Sequence, residues 1–128
     1  MANVGQNMED ARKTRDSYLV GFREVDTRSL LRGEYLRDLR SFGTDLMMAS
    51  YVKHGITVNS NILVMERGDQ LVVLEGGHRV AALQALRNAH PLEVKWHKVS
   101  VLVYRDMPAP LQIELSRGKL TPGIIVTL

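Results

Sequence analysis

The sequence predicts an α+β domain with a small mixed β-sheet and flanking helices, and three observations carry that expectation. Two β-rich runs, Ile62 to Met65 and Gln70 to Leu74, stand on either side of the turn ERGD and read as a hairpin. An Ala- and Leu-rich segment, HRVAALQALRN, separates that hairpin from a further apolar run ending at Tyr104. The resulting order of helix, hairpin, helix, strand and helix does not repeat a βαβ unit, so a mixed sheet is expected rather than a doubly wound parallel one.

Residues 1–17 have no apolar period and form a lead, compatible with helix over MEDARKTRDSYL, ahead of a single domain spanning 18–128. Tyr18 to Val25 mixes aromatic and β-branched residues as a first strand, with Asp26 or Thr27 then capping a helix or turn and Arg32-Gly33-Glu34 forming a bend. Thr44 to His54 predicts a helix with Leu46, Met47, Ser50 and Tyr51 near one face, stopped by Gly55. Met47, Met48 and Tyr51 read as core, and His54 complements the helix dipole. The hairpin ends at Glu75-Gly76-Gly77, and a helix runs from His78 to Asn88. Val94 to Tyr104 reads as one strand, with Trp96 covering core or an interface, and Pro108 and Pro110 end it. A last helix is expected over 110–117.

The chain has 128 residues, a formal net charge of +3 and no cysteine. Absence of cysteine excludes disulfides, thiolate nucleophiles, zinc–thiolate sites and iron–sulfur clusters. No stretch approaches the roughly 18 apolar residues of a membrane span, and the polar start lacks the apolar core of a secretory signal. No membrane partner is expected, and the expected location is cytoplasmic, nucleoid or nuclear rather than secreted. The apolar ending IIVTL is compatible with an edge-paired homodimer or with a longer polypeptide.

Chemistry concentrates at EGGHR, where a strand passes through two glycines into a helix. Glycines let backbone amides approach a ligand, and the helix start offers unpaired N–H groups and a positive dipole end to an anion. His78 and Arg79 are cations where the dipole disfavours them, a conflict that a bound phosphate resolves. The residues alone leave two readings open: an anion site, or a tight turn with solvated cations. The segment has neither the GK[ST] of a Walker loop nor the G-x-G-x-x-G of a dinucleotide site. Glu75, just before the glycines, is placed to act as a base toward a hydroxyl nucleophile or to be an exposed strand-end carboxylate. Arg87, Lys95, Lys98 and Arg105, with only Glu93 among them, form either a basic face for DNA or a solvated strand edge.

LVVLEGGHRVAALQAL resembles the GERRxRAA box of ParB-type partition proteins and the GCHRxxA box of sulfiredoxins, two branches of one α+β fold. YLR at 35–37 falls where ParB proteins carry QPR, and IELSRGKLTP at 113–122 resembles ENIQRxxLxP, so three boxes in order span roughly residues 20–122. The resemblance implies a ParB/sulfiredoxin-like domain that binds CTP or ATP with Mg²⁺. Gly76, Gly77, His78 and Arg79 would then form the triphosphate loop, Arg37 a second nucleotide contact, and Ser116 and Arg117 a closing group. Glu114 would act as metal ligand and, with Glu75, as candidate acid–base residue. Gly77 stands where sulfiredoxins have their cysteine, so sulfinic-acid repair is excluded, and where ParB proteins have glutamate. The function implied is a nucleotide-controlled switch in a DNA-associated protein, with possible CTPase or ATPase activity. A phosphotransferase or nuclease-type enzyme, or an inactive DNA- or protein-binding module, is the alternative.

Overall fold

The structure, a computed structural model, describes residues 13, 15–36, 39–56 and 62–116. In chain order the elements are strand β1 (Leu19–Asp26), a 3-10 turn (Thr27–Ser29), strand β2 (Leu30–Arg32), helix α1 (Ser41–His54), strands β3 (Leu63–Arg67) and β4 (Gln70–Glu75), helix α2 (Gly77–Ala89), a second 3-10 turn (Val94–Trp96), strand β5 (Lys98–Tyr104) and helix α3 (Ala109–Ser116). The five strands form one mixed sheet in the order β1-β5-β3-β4-β2. β1 runs antiparallel to β5 and β3 to β4, whereas β5 and β3, and β2 and β4, are parallel. The α+β class with a mixed sheet is therefore the observed one.

Alternation along the central strands sorts the core onto two faces. Val64, Val73, Val101 and Val103 meet Val80, Leu83 and Leu86 of α2 and Tyr51 of α1. Their neighbours Leu63, Met65, Val72, Leu74, Leu102 and Tyr104 point the other way and meet Leu115 of α3. Both faces are covered, so these strands read as continuous apolar runs; each fully buried Val or Leu contributes about 1.5–3 kcal/mol relative to an exposed one. α1 and α2 thus share one face, with α3 on the opposite one.

Three expectations change. Val94 to Tyr104 is not one strand: Val94–Trp96 is a 3-10 turn, and Trp96, 2% exposed, plugs the end of the core. That geometry is tied down from outside the segment, because Thr27 Oγ1 donates to the Trp96 carbonyl at 2.9 Å and the Thr27 amide donates to the His97 carbonyl at 2.9 Å. Leu30–Arg32, read as following a cap and entering a bend, is a short strand, because its backbone pairs with Leu71–Val73 of β4. Asp26 is the expected cap, accepting from the Arg28 amide at 2.8 Å at the start of the 3-10 turn. α1 begins at Ser41, and Leu46 and Ser50 are exposed while Met47, Met48 and Tyr51 face the core. The buried stripe is rotated because Gly43 lies against α2.

Candidate functional site

β4 delivers the chain to the site. Glu75, half-buried and opposite Leu63, ends the strand, and Gly76 turns it with φ 91° and ψ 29°, in the left-handed region that glycine adopts without a Cβ clash. α2 starts at once. Its first intrahelical bond is from the Val80 amide to the Gly76 carbonyl at 3.0 Å, so the amides of Gly77, His78 and Arg79 precede the helical ladder. The N-cap supplies no side-chain acceptor, and no acidic residue lies in the first turn. Three amides and a dipole end are therefore presented together, with Arg79 beside them.

The segment before α1 packs directly on this turn. Leu36 and Leu39 cover Gly77: a Cβ there would lie 3.3 Å from Leu39 Cδ2 and 3.6 Å from Leu36 Cδ1. A side chain at this position would start in van der Waals contact with both leucines. His78 Nε2 accepts a hydrogen bond from the Arg40 amide at 2.9 Å. An amide can only donate, so the accepting nitrogen is bare and the ring is the neutral Nδ1–H tautomer. Half of the expected conflict between cations and dipole is thereby removed, and Arg79 alone carries it. Arg79 also acts on Tyr51 of α1, where burial raises the hydroxyl above its ordinary value of 10.0 and the arginine charge opposes the rise.

A cleft of about 70 Å³ opens beside Gly77, lined by Arg32, Leu36, Leu39, Val80 and Gln84 among others. Arg32 is a site neighbour that sequence reading assigned only to a bend; its Nη2 donates to the Leu36 carbonyl at 3.2 Å. Parallel pairing of β2 with β4 brings it there, and no local motif announces that pairing. A larger groove of about 330 Å³ lies between Gly55–Ile56 and the start of β5, lined also by Glu24, Lys95 and Lys98. It is open and remote in sequence from the glycine turn, so the chemistry favours the smaller cleft.

The other predicted residues divide. Glu114 and Ser116 lie on α3, which packs through Leu115 on the face opposite α2; Ser116 is buried and Glu114 half-buried. Arg37 and Arg117 lie outside the described residues, as do the terminal IIVTL and most of the lead. Arg87 leaves the proposed basic face. It is buried, and its Nη1 donates to Asp26 at 2.6 Å, to Thr27 Oγ1 at 3.1 Å and to the His97 carbonyl at 3.0 Å. Lys95 stacks over the Trp96 ring, 5.1 Å from its centroid, and Arg105 donates to the Ser17 carbonyl at 2.6 Å. No group of three or more His, Asp or Glu side chains able to hold a metal occurs among the described residues, and none of their helices is long and apolar enough to cross a membrane.

Among solved structures, the chain is similar to the C-terminally truncated chromosome-partitioning protein ParB from Caulobacter crescentus, complexed with CTP-γ-S, with a TM-score of 0.59 and 19% identity. The fold is ParB-like. The likeness covers 84% of this chain and 56% of that one, so the chain spans little more than half the length of the ParB it matches. Neither a protein-family model nor a curated protein matches the sequence. In this ParB-like fold the glycine turn joins the hairpin to α2 at the C-terminal end of β4, as the resemblance of the EGGHR box predicts.

Proposed function

We propose that the domain binds a nucleoside triphosphate at the turn Glu75–Arg79 and uses occupancy of that site as a switch. The observation that carries this reading is the left-handed Gly76 entering a helix whose first turn holds three amides and Arg79 but no acidic residue. The ParB neighbour, which carries CTP-γ-S on the same fold at 19% identity, supports it. Gly76 and Gly77 bring backbone amides to the phosphates, and Arg79 adds a delocalised charge suited to two phosphate oxygens. Arg37 and Arg117 belong to the same proposal as groups that complete the enclosure, whereas Ser116 is buried on α3 on the opposite face of the sheet.

Magnesium fits this arrangement as an ion shared with phosphate oxygens rather than one held by a protein cage. It keeps several waters and asks for one or two carboxylates; Glu75 stands at the turn itself, whereas Glu114, which the resemblance implies, lies on α3 on the sheet face opposite α2. When bound, the ion neutralises phosphate charge. Glu75 and Glu114 are the candidate acid–base groups, and turnover by either defines the enzymatic alternative. CTP is the first nucleotide to test because of the ParB neighbour, with ATP and GTP as comparisons.

Thermal unfolding with each nucleotide, with and without Mg²⁺, tests the binding step. Saturating the site at about 100 times Kd stabilises the fold by about 2.7 kcal/mol, which moves the midpoint upward by several degrees. No shift with any of the three overturns the reading. Phosphate release or transfer measured alongside assigns the domain to the enzyme branch, whereas binding without either assigns it to the switch. Association with DNA through exposed Lys95, Lys98 and Arg105 is part of the same proposal; it predicts affinity that falls steeply with salt, and a flat response contradicts it.

A further inference from the structure

The contacts around His78 differ in kind from those of a side chain waiting for a phosphate. Its Nε2 accepts from the Arg40 amide at 2.9 Å. Gly43, in the first turn of α1, approaches the same Nε2–Cδ2 edge so closely that a Cβ would stand 2.9 Å from His78 Cδ2 and 3.0 Å from Nε2. One edge of the ring therefore meets both a backbone donor and Gly43 at the start of α1, and the missing side chain at Gly43 leaves it room there. Next to it, Leu36 and Leu39 rest on Gly77. Arg40, the N-cap of α1, has no side-chain cap bond of its own, so the imidazole anchors the backbone where the helix begins.

We propose that His78 is a positioning residue: through Nε2 it fastens the segment leading into α1 onto the phosphate turn, so that nucleotide affinity and the seating of α1 depend on each other. The inference rests on the nucleotide reading for its coupling step, and on geometry alone for the fastening. One residue joins the two elements because it sits in the first turn of α2 and bonds the start of α1. Moving the turn to admit phosphates moves the ring, and the ring moves Arg40.

The test compares the full chain with His78→Gln, which retains an acceptor oxygen near the Nε2 position, His78→Leu, which removes it, and Gly43→Ala, which crowds the ring without changing it. Nitrogen chemical shifts of the wild-type imidazole are expected to show a bare Nε2 and a protonated Nδ1. Amide exchange at Arg40 is expected to quicken about fivefold in His78→Leu and Gly43→Ala, the worth of one ordinary hydrogen bond, and to stay near wild type in His78→Gln. Amides of Val64 and Val101, in the central strands, serve as the folding control in each variant. Affinity for Mg·CTP is expected to fall in step with Arg40 exchange, with rescue in the glutamine variant.

Unchanged Arg40 exchange in His78→Leu, or an Nε2–H tautomer, overturns the fastening. Equal loss of affinity in the Gln and Leu variants overturns the coupling and makes the ring a direct ligand. If the wild type binds no nucleotide, the proposed function fails, and the exchange and tautomer measurements, made without ligand, still decide the fastening.

Discussion

Gly76 holds a backbone conformation that an L side chain enters at a cost of about 1–2 kcal/mol. Gly76→Ala is expected to lower stability by that amount, read by denaturant unfolding, and to weaken nucleotide binding by more than its stability loss, because the turn that aims the amides is displaced. On the edge strand β1, the Arg28 amide is the main cause holding the Asp26 carboxyl below its ordinary value of 3.8; burial opposes it, and the Arg87 guanidinium adds to the lowering. The sign follows from proton binding. The unfolded chain binds the proton more readily, so Asp26 stabilises the fold above its unfolded value, and that support is lost as pH falls through the lower, folded one. Asp26→Asn is therefore expected to flatten the acid limb of a stability–pH curve while reducing stability at neutral pH; an unchanged limb contradicts the assignment. The cap at Asp26 was legible locally, but its contact with Arg87 was not, since the two are 61 residues apart and meet only because α2 lies against the end of β1.

At the scale of elements, what periodicity and turn chemistry decide locally was readable in the sequence. The hairpin around ERGD, the helix after the glycines and the helix over 109–116 each stand where side-chain period and breakers put them. What failed depends on tertiary pairing. Leu30–Arg32 becomes a strand because β4 offers a free edge, and the Trp96 turn is imposed by Thr27 and Arg87 across the chain. The stripe of α1 was misjudged by one position because Leu46 is apolar yet exposed, whereas Gly43, which carries no hydrophobic signal, is the contact that fixes the rotation. Leu83, fully buried where α2 meets the sheet, carries the junction that positions the turn. Leu83→Ala is expected to cost about 2–5 kcal/mol in unfolding free energy, with the loss appearing in the midpoint and not in the slope.

Over the whole molecule, the candidate site was legible in part. EGGHR stood out because two glycines between strand and helix let backbone amides approach an anion, although a plain tight turn read equally well, and the structure places that turn at the end of β4 as the box resemblance implied. The resemblance of YLR to QPR implied that this segment reaches the site through Arg37, but nothing in YLRDLR marks Leu36 and Leu39 as packing on Gly77, 38 residues beyond Leu39. Absence of cysteine excluded one branch of the resembling fold, and Leu36 and Leu39 lie against the glycine at that position. The net charge of +3 is reduced as an argument for DNA by the burial of Arg87, which leaves Lys95, Lys98 and Arg105 to be tested by salt. The central claim is triphosphate binding at the glycine turn, and calorimetric titration of the full chain with Mg·CTP, beside Arg79→Ala, tests it most directly. A saturable isotherm weakened about tenfold or more by the substitution, equivalent to about 1.4 kcal/mol, is the predicted result; no binding by the wild type, or equal binding by both, contradicts it.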